Sequence, residues 1–115
     1  MTTKEIMQKA ANALDDKKGK DIQILKIADV STLADYFLIC TGTSNTHIRA
    51  LCDAVEEAMD QAQEPQVSKE GHRGGPGVLL DYGSIVVHVF TDEARQFYDL
   101  ERLWSDAAPV ELTEI

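Results

Sequence analysis

Five consecutive apolar residues, Tyr36 to Cys40 (YFLIC), constrain this chain more than any other stretch. A strand with one wet face alternates apolar and polar residues. A continuous run of aromatic and branched side chains instead suits a strand covered on both faces, at the middle of a layered sheet. The other strands are read around it. "VLLDY" (78–82) and "SIVVHVF" (84–90) are separated by Gly83, the signal of a hairpin. "DIQILKI" from Asp21 reads as a further strand, and "QVSKE" after Pro65 as a weak edge strand.

Helices supply the cover. Thr2 and Glu5 match a capping box, and Ile6, Met7, Ala10, Ala13 and Leu14 follow at helical spacing, with Gly19 placed to end the helix at its C′ position. "TGTSN" (41–45) breaks the central strand, and Thr43 or Ser44 can cap a second helix. Its stripe is Ile48, Leu51, Cys52, Val55, Ala58, Met59 and Ala62, and its other face carries Asp53, Glu56, Glu57 and Asp60. Thr91 or Asp92 caps a short helix, which "YDLERLWSDA" continues or follows with another. The expected architecture is a single compact α/β (α+β) domain over residues 1–107, a mixed sheet of about five strands flanked by helices. Residues 108–115, with Pro109, read as a polar C-terminal tail.

With 115 residues the chain makes one domain, burying roughly two thirds of its unfolded surface. The formal net charge of −9 argues against a sequence-independent nucleic-acid binder, which needs clustered Lys and Arg to displace counterions. It is compatible with a soluble acidic surface and with a basic protein partner. No apolar run approaches the ~20 residues of a membrane span, and Cys40 and Cys52 read as small core residues of a reducing compartment, the cytoplasm.

Each candidate for catalysis lacks a necessary component. "GTSN" opens a helix after a buried strand and could hold an anion, as the Gly-Ser turn of nucleotidyltransferases does. That chemistry also needs paired carboxylates on a neighbouring strand to hold metal ions. "VLLDY" offers Asp81 alone, while Asp99 and Glu101, two apart on a helix, do not share a face. His47, His72 and His88 invite a metal or general-base reading, but no metal-ligand spacing accompanies them, and no metal or cofactor is expected. His88, inside "VVHVF", reads as a hydrogen-bonded core histidine. "EGHRGGPG" (70–77), with its glycines beside His72 and Arg73, could be a phosphate loop, yet it feeds a strand and so lacks the helix N-terminus that binds phosphate.

Taken together, "DYFLICTGTSN", the helix from His47, "EGHR…GVLLDYGSIVVHVF" and "ARQFYDLERLW" resemble the Iojap-like ribosomal silencing factors over nearly the whole chain. The resemblance implies a nucleotidyltransferase-like fold without the catalytic carboxylates and a role that is not enzymatic. It implies binding to the large ribosomal subunit through that subunit's fourteenth ribosomal protein, which blocks joining of the small subunit and represses translation. It also implies a homodimer when free, and no direct sequence-specific contact with nucleic acid. The alternatives are a nucleotide-binding transferase using "GTSN" and an assembly adaptor for the large subunit. Where the family usually carries an aromatic residue before V-L-L-D, this chain has Gly77. Gly77, Leu79, Tyr82 and Tyr98 are the expected partner-binding residues; Arg95, Leu100, Leu103 and Trp104 match the family's C-terminal block.

Overall fold

The computed structural model of the chain describes residues 2–27, 34–71, 77–91 and 108–110. Their elements run α1 (Thr3–Asp16), β1 (Lys20–Lys26), β2 (Tyr36–Thr41), α2 (Asn45–Gln61), β3 (Ser68–Gly71), β4 (Gly77–Asp81), β5 (Ile85–Phe90) and β6 (Ala108–Val110). The strands form one sheet in the order β3-β4-β5-β2-β1-β6. β2 and β5 lie at its centre in parallel, Tyr36 beside Ile85 through to Thr41 beside Phe90, and every other neighbour is antiparallel. The mixed sheet flanked by helices is as expected, with one strand more. β6 pairs with β1 where the sequence reads only a polar tail. The helix expected after Thr91 lies outside the described residues.

Side-chain alternation sorts the sheet into two apolar layers. Tyr36, Leu38 and Cys40 of β2, Ile85, Val87 and Val89 of β5, and Val78 and Leu80 of β4 pack with the apolar stripes of α1 and α2. Phe37, Ile39, Val86 and Phe90 turn the opposite way and cluster with Leu25, Ile27 and Ala34, with Leu79 packed against them. Cys40 and Cys52 are both buried and free. Burial pushes the Cys52 thiol up to about 11, so it is packing material and not a nucleophile.

Both helices begin and end by the same devices. The Thr2 and Ser44 hydroxyls accept from the backbone N–H of Glu5 and His47, satisfying N–H groups that the helix itself cannot pair. At the end of α1, Lys18 N–H donates to Asp15 O at 2.9 Å and Gly19 N–H to Leu14 O at 2.9 Å. At the end of α2, Gln63 N–H donates to Asp60 O at 3.0 Å and Glu64 N–H to Met59 O at 2.9 Å. These paired bonds are Schellman motifs, which require a left-handed residue at C′. That residue is Lys18 (φ 61°) in α1 and Gln63 (φ 59°) in α2. Gly19 is therefore not the C′ residue that the sequence suggests. It is glycine for want of room, since a Cβ there would collide with Cys40 Sγ and stand 3.2 Å from Leu51 Cδ2.

A left-handed conformation costs a residue with a Cβ about 1 kcal/mol, and glycine escapes it. Lys18→Gly and Gln63→Gly should each stabilise the protein by roughly 0.5–1 kcal/mol in urea unfolding with an unchanged m-value. A loss of stability in both would contradict the cap assignment.

Candidate functional site

The expected partner-binding residues divide between the two faces of the sheet. Gly77 and Leu79 of β4 share the face away from the helices, opposite Phe90 and His88 of β5. Tyr82 does not join them. It follows Val78 and Leu80 in alternation, is 5% exposed, and sits in the core beneath α2. Gln66 Nε2 donates to its hydroxyl at 3.1 Å and also to Glu56 Oε2 at 3.1 Å, and Glu56 accepts from Lys69 Nζ at 2.9 Å. Burial raises the Tyr82 hydroxyl pKa, against the Gln66 bond, which lowers it. This network ties the segment before β3 to α2, so Tyr82 is a packing residue and not part of the Gly77–Leu79 surface. It also contributes to the wall of an acid-lined cavity of about 490 Å³ with Glu56, Asp60 and Glu64. Tyr98, the fourth expected residue, lies outside the described residues.

Gly77 is closely covered. A Cβ added there would collide with the Phe90 ring and stand 2.7 Å from the Val89 carbonyl oxygen. An aromatic ring across a strand pair can cover the backbone that a glycine leaves bare, and Phe90 does so here. The missing side chain at 77 is thus answered by a neighbour already in place. Adding one forces the Val89 backbone as well as the ring to move, so even Gly77→Ala should cost about 1–3 kcal/mol of stability, measured by thermal unfolding. For that reason Gly77→Trp is a poor probe of affinity alone.

The candidates for chemistry become structural in detail. His47 clasps two helices together. Its Nδ1 accepts from the Thr43 backbone N–H at 2.9 Å, which leaves the proton on Nε2 to donate to the Lys17 carbonyl at 2.9 Å. Asp81 is held by the hairpin turn, its Oδ1 accepting from the Gly83 N–H at 2.8 Å, where Gly83 takes φ +82°. Among the described residues no group of three or more His, Cys, Asp or Glu is placed to hold a metal ion. Asp99, Glu101, His72 and Arg73 lie outside the described residues, as do Arg95, Leu100, Leu103 and Trp104.

His88 departs from its expected role as a hydrogen-bonded core residue. It is 6% exposed and lies between two rings, Phe37 edge-on at 5.0 Å and Phe90 tilted at 5.8 Å. Its Nε2 is buried without a hydrogen-bond partner. Burial disfavours the imidazolium and drives the pKa down from 6.5 to about 4, against a weaker opposite pull from Asp81. The unfolded chain takes up the proton first as pH falls. Stability contributed by neutral His88 is therefore complete above pH 6.5 and is lost as pH falls from 6.5 towards 4, by about 3 kcal/mol in all. Denaturant unfolding across that window should show the loss, and His88→Leu should flatten it. An equally steep pH dependence in the variant would show another group to be responsible.

Comparison with known proteins finds relatives along the whole chain. The family model described as "Ribosomal silencing factor during starvation" matches residues 1–115. The ribosomal silencing factor of Bacillus subtilis is 44% identical over 115 residues, covering 97% of this chain and 95% of that protein. The crystal structure of a Chromobacterium violaceum protein superposes with a TM-score of 0.87 at 39% identity, covering 91% of this chain and 88% of that one. A mouse protein named for mitochondrial assembly of the ribosomal large subunit is 30% identical over 95 residues, covering 80% of this chain and 42% of that protein. With a match along its whole length, the chain belongs to the ribosomal silencing factor family.

Proposed function

We propose that this protein silences ribosomes by steric occlusion. It docks on the large ribosomal subunit through that subunit's fourteenth ribosomal protein, covers the surface that meets the small subunit, and so prevents subunit joining and represses translation. The observation that carries this reading is the whole-length match to a family of ribosomal silencing factors. A net charge of −9 supports a protein partner of opposite charge, since complementary fields speed encounter and select partners.

The docking surface in this reading is the sheet face that bears Gly77 and Leu79. Leu79 is its apolar contact, half-buried beside Gly77 and next to the edge strand β3. Tyr98 belongs to the same proposal. The factor acts in the cytoplasm and self-associates when free, which sedimentation equilibrium would read directly.

A second reading, an assembly adaptor for the large subunit, draws on the name of the mouse relative. It uses the same surface but predicts immature large subunits in a deletion strain, where silencing predicts normal subunits and excess joined ribosomes.

The deciding measurement is co-sedimentation with purified large subunits, followed by addition of small subunits. The protein should pellet with the large subunit and reduce the yield of joined ribosomes. Leu79→Glu, placing a charge at the contact, should weaken pelleting by about tenfold or more, the scale of one interface anchor. Joined ribosomes forming unhindered at saturating protein would overturn the reading.

A further inference from the structure

An edge strand is hydrogen-bonded along one border only and opens more easily than the strands inside a sheet. β3 is such a strand, its four residues paired with β4 alone, from Ser68 beside Asp81 to Gly71 beside Val78. Alternation divides its side chains between the two faces. Glu70, beside Leu79, lies on the docking side of the reading above, while Lys69, beside Leu80, lies on the side of α2.

On the α2 side a single carboxylate holds this border from behind. Glu56 Oε1 accepts from Lys69 Nζ at 2.9 Å, and Glu56 Oε2 accepts from Gln66 Nε2 at 3.1 Å. Gln66 Nε2 also donates to the Tyr82 hydroxyl at 3.1 Å, just past the end of the strand that bears Leu79. Both oxygens of the carboxylate and both N–H groups of the amide are therefore used, and a polar network satisfied in this way is rigid. The ties at positions 66 and 69 bracket Val67, whose N–H donates to Asp81 O at 2.8 Å at the start of the β3–β4 ladder. The Lys69 and Glu56 side chains are 46% and 31% exposed, and an ion pair so open to water adds little to overall stability. Its effect is local, because for a strand paired on one side a second attachment sets how often the strand is closed.

We infer that Glu56 is a positioning residue for ribosome docking: from α2 it holds β3 and the end of β4 in place, and so presets the edge beside Leu79 that the partner meets. Glu56 stands on the helix side of the sheet and acts through Lys69, Gln66 and Tyr82, not by touching the partner. An edge already in place leaves less to be ordered on binding. The inference rests on the docking reading above and adds to it how the docking edge is held.

The test combines amide hydrogen exchange of the free protein with co-sedimentation on purified large subunits, and thermal unfolding in parallel. The proteins are wild type, Glu56→Ala, Glu57→Ala and the charge swap Glu56→Lys with Lys69→Glu. Glu56→Ala should speed exchange at Val67 and in β3 by about tenfold, the scale of one charge-assisted hydrogen bond. It should also weaken pelleting severalfold, as fewer molecules have the edge closed. Exchange in β2 and β5 and the unfolding temperature should hold, which the loss of a general structural support would not allow. Glu57→Ala removes the same charge one residue along and should leave exchange and pelleting at wild-type values. The swap reverses the ion pair, and Gln66 can turn its amide oxygen to the introduced ammonium, so both losses should be largely recovered. A direct contact between Glu56 and the partner would not be rescued in this way. Unchanged β3 exchange in Glu56→Ala, wild-type pelleting despite faster exchange, equal weakening by Glu57→Ala, or no recovery in the swap each overturns this inference and leaves the docking reading standing. Failure of the wild-type protein to pellet overturns both.

Discussion

The parallel pairing of β2 with β5 is the contact on which the rest of the molecule depends. Two strands without alternation, Tyr36–Thr41 and Ile85–Phe90, lie side by side at the centre of the sheet. Each offers apolar side chains to both faces, so neither face can be left to water. α1 and α2 cover one side through Leu38, Cys40, Val87 and Val89. The same register places Phe37, Ile39, Val86, His88 and Phe90 on the other side, and thereby defines the surface that Gly77 and Leu79 border. A slip of one residue in this pairing would exchange the two faces and dismantle both layers at once.

The elements legible in the sequence were those whose signal is local. The runs at 36–40 and 84–90, the helical stripes and the serine and threonine caps all declare themselves within a few residues. β6 does not, because three residues that include Pro109 carry no periodic pattern, and only pairing with β1 makes them a strand. The C′ residue of α1 is hidden from the sequence for a related reason. Glycine is the habitual choice there, but Gly19 answers to the crowding of Cys40 and Leu51, which sequence alone does not display.

The candidate site was legible in part. Shared parity correctly joins Gly77 and Leu79, and the same rule sets Tyr82 with Val78 and Leu80 on the helix side. Its aromatic character spoke for an interface and outweighed the counting of positions. The cover of Gly77 by Phe90 and the unpaired nitrogen of His88 depend on cross-strand distances, and no single-chain pattern encodes those. His47 was readable as a helix-start residue but not as the clasp on Lys17, thirty residues away in sequence.

The two ends of the sheet bear on how the protein avoids polymerising. An open sheet exposes a row of peptide groups at each border, a template for another chain. Here one border is β6, three residues long with a proline that has no N–H to offer. The other is β3, four residues long and carrying Lys69 and Glu70. As described, neither border strand is longer than four residues, which limits the backbone it offers to a further strand. Association with copies of itself or with other molecules is thereby directed to side chains on the broad surfaces, where chemical identity can discriminate, and away from the backbone, where every sequence looks alike.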